Sequence, residues 1–397
     1  MLPSGNQTII PTNGLRAEPI LECMWSIALK TLIADRGKLA TALVGVVFSV
    51  VLVNVQGGLY TGLLGKIALL VDSGDADIWI AHTHIHNVDF PLDIPKRWMY
   101  RIRAVPGVKS AVPYIIGACD TTLPSGGFEG VFVVGCDRKS LLGGPWSMEQ
   151  GHAADCRQTE GVIVDCFEEA KLEFPVIGEV REINGRRARI VAKSRGIVGF
   201  LVNPYVFTSL EQAASYLRKP ADRCSYFLVK LCPGADAETV CRKIKQRIPE
   251  LDAFPSTVYA RKSIDYWMTR TGLGISFGAA TVLGVLVGLI IVAQTLYASV
   301  LDRLSEFGAM KAMGASERQI YVMLLVQAVT MALAGALLGL ELVFLVQRTS
   351  STPHAPIVIP WWLSLGSFVL VLVICLVSSV LPYLRIRRLD PAIVLRG

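Results

Sequence analysis

A chain of 397 residues in which 52% are hydrophobic and only 18% charged is too apolar for a string of soluble domains, and membrane spans are the expectation. The formal charge of +7 does not mark a nucleic-acid binder, because most of the 39 Lys and Arg lie between Asp72 and Arg270 among many acids, as on an ordinary solvated surface. No Walker A sequence occurs, nor a GxSxG, HExxH or protein-kinase motif, so neither a P-loop nucleotide site nor a common catalytic signature is present.

The first eighteen residues are polar and punctuated by Pro and Gly, which predicts little order. From Ile20 an apolar stripe of Ile20, Met24 and Ile27 beside Leu21, Trp25, Ala28 and Leu32 predicts an amphipathic helix on the membrane surface, within a cytoplasmic segment 1–38. Leu39–Gly65 has no Asp, Glu, Lys or Arg and is expected to cross the bilayer as span one, 39–64. It is too long for a signal-peptide core and meets no small-x-small cleavage site, so it reads as a retained anchor. Helical spacing continues through Leu59, Leu63, Ile67 and Leu70, predicting a stalk beyond the bilayer.

Residues 65–270 then have the composition of a large α+β extracytoplasmic domain. "DADIWIAH", "PKRWMYRIRAV" and "GVKSAVPYIIGA" predict a strand, a helix with Pro95 in its first turn, and a strand. "SYFLVKL", "DAETVCRKIKQRI" and "LDAFPSTVYA" repeat that order, so two β-α-β units bracket a β-rich insertion over Thr121–Leu217. Tyr266, Trp267 and Arg270 resemble an interfacial anchor returning the chain to the membrane. Three further apolar runs predict spans at 271–300, 320–346 and 362–384, with a connecting segment 301–319, a loop 347–361 and a tail 385–397. The fold class is therefore an α-helical membrane protein with four transmembrane helices in a 1+3 arrangement.

Lys and Arg in the short segments set the orientation. Lys30, Arg36 and Lys38 precede span one, Arg303, Lys311 and Arg318 separate spans two and three, and Arg385, Arg387, Arg388 and Arg396 follow span four, whereas loop 347–361 has only Arg348. The three basic segments belong on one side, so both termini are expected in the cytoplasm of an inner (plasma) membrane and the large domain outside it. Seven of the nine cysteines, Cys119, Cys136, Cys156, Cys166, Cys224, Cys232 and Cys241, then fall where disulfides can form. Their odd number and the lack of a CxxC pair leave connectivity open, with buried free thiols as the alternative.

Few residues suggest chemistry. His82, His84 and His86 alternate, so on a strand the three imidazoles would share one face; an exposed strand end is preferred over a metal site, which would need a ligand from elsewhere. Glu341 is the one acid in span three and lies near its outer boundary, where an interfacial carboxylate is expected. Gly335 and Gly339 form a GxxxG that suits close approach of another helix. The connecting segment is more telling. Leu304, Phe307, Lys311 and Gly314 share one side of a short helix with Arg303, Glu306, Met310 and Met313 beside it, Gly314 ends the helix, and Ser316 opens the next. Apolar side chains on so small a connector need protein or lipid against them.

At this point the chain resembles a known family. "SEFGAMKAMGAS", Ser305–Ser316, is similar to the cytoplasmic loop of MacB/LolC/FtsX-type ABC transporter permeases, in which an E-x-G-x-x-(K/R)-A-x-G-A pattern is usual, and "RIRRLDPAIVLRG" resembles their ending. The order of one span, an external domain and three spans is also theirs, while "FSVVLVNVQGGL", "DSGDADIWI" and "VPGVKSAVP" look most like the DevC branch. The resemblance implies a non-catalytic permease subunit that binds no cofactor, ATP being held by a separate cytoplasmic ABC ATPase. That ATPase would dock on a coupling helix with Glu306, Phe307, Gly308, Met310, Lys311, Met313 and Gly314. It further implies a second permease copy, most simply a homodimer, contact with membrane lipids, and a periplasmic adaptor and outer-membrane channel for export of lipid-like or amphipathic cargo. The alternative is an FtsX-like signalling subunit that controls a cell-wall hydrolase.

Overall fold

The structure is a computed structural model that describes residues 36–201, 203–302, 309–310, 316–380 and 383–384. The amphipathic helix expected over Ile20–Leu32 and the tail 385–397 lie outside the described residues. The chain begins with helix α1 (Arg36–Ile67), the short α2 (Leu69–Ser73), strands β1 (Ile78–His82) and β2 (Ile94–Pro95), and helix α3 (Trp98–Arg103). Strands β3 (Val108–Thr122), β4 (Phe128–Cys136), β5 (Met148–Gln150), β6 (Gly161–Asp165), β7 (Val180–Ile183), β8 (Arg186–Ser194) and β9 (Tyr205–Ser209) follow. Helix α4 (Leu210–Tyr216), strands β10 (Arg223–Cys224) and β11 (Tyr226–Leu231), helix α5 (Ala237–Arg247) and strand β12 (Leu251–Pro255) lead to helices α6 (Ser256–Arg270), α7 (Leu273–Leu301), α8 (Glu317–Ser350) and α9 (Trp361–Ser378).

Four of these helices, α1, α7, α8 and α9, are long and apolar enough to cross a membrane, and a large α/β domain separates the first from the second. Two units form. The membrane unit takes the described residues up to Gly57, Ala280–Thr349 and those from Ile359 on; the interspan unit takes Gly58–Ala279 with Ser350–Val358. All four spans meet in the membrane unit's core, where Ala42, Val46 and Val50 of α1 lie among Val292, Ala332, Ala336, Val371 and Cys375.

The interspan unit is built on a sheet whose first four strands run β12-β1-β11-β3, all antiparallel. Helix α3 connects β1 to β3 and α5 connects β11 to β12, the split β-α-β order. The two-residue period of β1 explains its unbroken apolar sequence: Ile78 and Ile80 enter the core with Ile102 of α3 and Val240 and Ile244 of α5, whereas Trp79 and Ala81 face Tyr259 and Ala260 of α6. Asp236 caps α5, its Oδ2 accepting from the Thr239 N–H at 2.8 Å. Pro95 is not in the first turn of α3. It pairs with Arg223 in the two-residue ribbon of β2 and β10, and α3 starts at Trp98.

Strand β3 is long enough to serve two neighbours: Val108–Tyr114 pair with β11 and Ile115–Thr122 with β4. From β4 the pairing passes to β9, β6, β8 and β7, and β7 returns to β3 through Thr121↔Ile183 and Thr122↔Glu182. The β-rich part is thus a closed ring of six strands, and closure satisfies edges that an open sheet would leave unpaired. Val131, Val133, Val162, Val164, Ile190 and Val206 fill it.

Candidate functional site

Of the residues proposed from sequence for the 301–319 connector, only Met310 is described; Glu306, Phe307, Gly308, Lys311, Met313 and Gly314 lie outside the described residues. Met310 packs against a buried cluster of Val300, Ile320, Met323, Leu324 and Val326, at the facing ends of α7 and α8. Helix α8 opens with a reciprocal cap: the Gln319 N–H donates to Ser316 Oγ at 3.3 Å and the Ser316 N–H donates to Gln319 Oε1 at 2.9 Å. This pairing satisfies two helix-end donors and fixes where span three begins.

Glycines decide how closely α1 meets its neighbours in the membrane unit. A Cβ on Gly45 would strike Ile291, and one on Gly284 or Gly288 would strike Leu52 or Ser49, so α1 and α7 touch almost backbone to backbone. On the α8 side the GxxxG works as its spacing suggests, Gly335 and Gly339 lying against Val46 and Val50. Two polar ties were not singled out from sequence. The fully buried Asn54 Nδ2 donates to Val50 O at 2.8 Å and to Ser367 Oγ of α9 at 2.7 Å, and Ser49 Oγ donates to Gly284 O at 3.4 Å. Both hide within apolar runs, where a lone Asn or Ser gives no periodic signal. Glu341, by contrast, is exposed on α8.

The outer ends of the spans belong to the interspan unit, and its own contacts hold them. Val358 N–H donates to Gly58 O at 3.0 Å, Thr61 Oγ1 donates to Val358 O at 2.5 Å, and Lys66 Nζ donates to His354 O at 3.2 Å. Gly62 meets Pro356 so closely that a Cβ there would lie 2.9 Å from the Pro356 carbonyl carbon. Tyr60 and Phe277 bring the ends of α1 and α7 together, their ring centroids 5.8 Å apart. His354 continues the set inward: its Nε2 lies 3.1 Å from Oε2 of Glu168, a fully buried carboxylate that Lys171 Nζ also meets at 2.9 Å. Glu168 Oε1 has no hydrogen-bond partner among the described residues. Segment 350–358 is thereby pinned to both the end of α1 and the β-rich ring.

A second buried carboxylate, Asp89, accepts from Trp267 Nε1 of α6 at 2.9 Å. Burial pushes its pKa up to about 6, the Trp267 hydrogen bond opposing the shift. The histidine series does not share a strand face, because β1 ends at His82. The His84 N–H turns back to His82 Nδ1 at 3.3 Å, while His86 stacks on Tyr266 at an interplanar angle of 8°. No cluster able to hold a metal ion occurs among the described residues. The seven cysteines of the domain are all free thiols, and burial pushes Cys119, Cys224 and Cys241 up to about 12, so these act as small apolar core groups.

Comparison with known proteins accounts for nearly all of this architecture. Residues 39–247 match the model of the MacB-like periplasmic core domain, and residues 278–391 match that of the FtsX-like permease C-terminal region. No curated protein matches. Among solved structures, the periplasmic region of MacB from Actinobacillus actinomycetemcomitans is similar, with 10% identity and a TM-score of 0.36 over 47% of this chain and 92% of that one. The extracellular domain of the noncanonic ABC-type transporter YknZ from Gram-positive bacteria gives 10% identity and a TM-score of 0.33 over 45% of this chain and 98% of that one. A permease-protein domain from Porphyromonas gingivalis gives 12% identity and 0.30 over 46% and 90%.

Proposed function

This chain belongs to the MacB/FtsX-type ABC transporter permeases, and from that premise we propose that it turns the work of a separate cytoplasmic ATPase into movement of its external domain. Permeases of this family work with an ABC ATPase on another subunit and are generally non-catalytic themselves. The four apolar helices make it an inner-membrane protein. Our reading puts both termini and the 301–319 connector in the cytoplasm. There Glu306, Phe307, Gly308, Met310, Lys311, Met313 and Gly314 meet the ATPase, two permease copies stand together, and an adaptor and outer-membrane channel receive lipid-like or amphipathic cargo. The stretches quoted above favour the DevC branch.

The observation that carries the reading is the set of contacts by which the interspan unit holds the outer ends of the spans: Thr61 and Gly58 on Val358, Lys66 on His354, and Tyr60 on Phe277. Contacts of that kind let a displacement of helix ends become a displacement of the domain, with no hydrophilic channel required. The test replaces Glu306 by Ala and Gly314 by Val in the full chain, co-expressed with its ATPase. Loss of ATPase co-purification and of transport, at unchanged membrane content, is expected; full capture and full transport in both variants would refute the coupling role. Specific capture of a cell-wall hydrolase by the wild-type chain, with no adaptor, would favour the signalling alternative.

A further inference from the structure

The loop from Thr83 to Asp93 leaves β1 and crosses the C-terminal half of α6. Polar ties hold it down. Asn87 Oδ1 accepts from the N–H groups of Asp89 at 3.0 Å and Phe90 at 2.9 Å, Tyr259 Oη donates to Asn87 O at 3.0 Å, and Tyr226 Oη donates to Val88 O at 3.0 Å. With Trp267 bonded to Asp89, the loop is fixed from two elements, α6 and β11. Yet it turns Phe90 and Leu92 outward, 54% and 47% exposed, with Pro91 between them. Leaving two large apolar side chains in water forgoes the gain that burial would bring. A loop so firmly held in that conformation calls for something apolar outside.

Its location identifies what that is. Phe90 packs on Trp267 with ring centroids 5.8 Å apart, and Phe200 packs on the same indole at 4.9 Å. Trp267 lies six residues before Leu273, the first residue of the second span, on a helix that ends at Arg270 ahead of a turn at Gly272. A residue so few positions from the span lies close to the headgroup layer, roughly 5–8 Å deep on each face of a bilayer. Tyr266 and the exposed Arg270 complete the aromatic and basic composition usual at that depth. Leu273–Ala279, Trp267 and the loop all belong to the interspan unit, so their relative placement is set by one body.

We propose that Phe90, Pro91 and Leu92 insert into the lipid surface of the leaflet that faces the domain, so that the interspan unit meets phospholipid through this loop as well as through the span ends it contains. The inference uses the spans alone and is independent of what the chain transports. The test is performed on the full chain in nanodiscs of phosphatidylethanolamine and phosphatidylglycerol that carry a fluorescent tracer lipid. The photoreactive residue benzoylphenylalanine replaces Phe90, Leu92 or, as control, Phe128, which is 72% exposed on β4. Several-fold more lipid adduct from positions 90 and 92 than from 128 is expected. Equal lipid labelling at all three positions, or adducts from 90 and 92 to a second copy or another protein, would overturn the proposal. A variant that fails to fold is replaced by a comparison of the chain free of benzoylphenylalanine with its Trp267→Phe variant in lipids brominated near the headgroup. There the quenchable tryptophan emission should fall on Trp267→Phe, and an unchanged quenchable fraction counts against it.

Discussion

Asp89 and Glu168 are both buried carboxylates, but their surroundings give them opposite effects on stability. Asp89 has one neutral donor, Trp267, and a pKa raised to about 6. Because its folded pKa lies above the unfolded value, the folded state holds the extra proton between about pH 4 and 6, and stability falls as pH rises through that window. Asp89→Asn keeps an acceptor for Trp267 without the charge. It should therefore stabilise the full chain by about 1–2 kcal/mol at neutral pH and by much less near pH 4.5. Thermal unfolding in detergent at the two pH values measures this; a gain independent of pH would show that burial of charge is not the cause. Glu168 sits between Lys171 and His354 instead. Glu168→Ala removes the carboxylate that both face and should cost roughly 1–3 kcal/mol, Lys171 and His354 being themselves partly exposed. Amide exchange across 350–358 should accelerate in that variant while the strands of the four-stranded part keep their protection.

At the scale of elements, glycine positions control the membrane helices. Gly288 and Gly339 face Ser49 and Val50 of α1 with no room for a side chain, the Cβ of Val50 lying 2.7 Å from where a Cβ on Gly339 would be. Gly366 on α9 has open space beside it. Gly339→Val and Gly288→Val should each lower unfolding temperature in detergent by an amount corresponding to about 1–3 kcal/mol of overpacking, and Gly366→Val should not. A matching loss at all three positions would trace the effect to the valine itself. The sequence made the α8 face legible because Gly335 and Gly339 stand in one motif. Gly284 and Gly288 stand at the same spacing, a second GxxxG that was equally legible but was not singled out, whereas Gly45 stands alone and gave no such signal, since pairing across helices depends on rotations that a single glycine does not encode. The four spans and the domain between the first two were legible from uninterrupted apolar length alone. Closure of the β-rich ring was not, because the return of β7 to β3 joins residues some sixty positions apart through a two-pair contact. The histidine series failed for a local reason: periodicity assumes the strand continues, and β1 stops at His82. For the connector, sequence remains the fuller source, with Met310 and the Ser316–Gln319 cap as its structural anchors.

For the whole molecule, the question is whether domain and span ends move as one. Segment 350–358, the end of α1 and the start of α7 carry little apolar core of their own, so their mutual position depends on a few short contacts. Gly62 against Pro356 is the tightest of these, and it lies one helical turn from Gly65, where a Cβ would meet nothing within 4 Å. Valine costs the same helix propensity at either position, so the pair isolates contact from propensity. Gly62→Val should force 350–358 away from the helix and weaken the Thr61 and Lys66 bonds to it, leaving the 301–319 connector untouched. The expected phenotype is uncoupling: ATPase capture equal to wild type, transport down several-fold, and Gly65→Val normal in both. If Gly62→Val also lost the ATPase, the defect would be misfolding. If it transported normally with 350–358 displaced, as read by faster amide exchange there, the span ends would not be the route by which force reaches the domain.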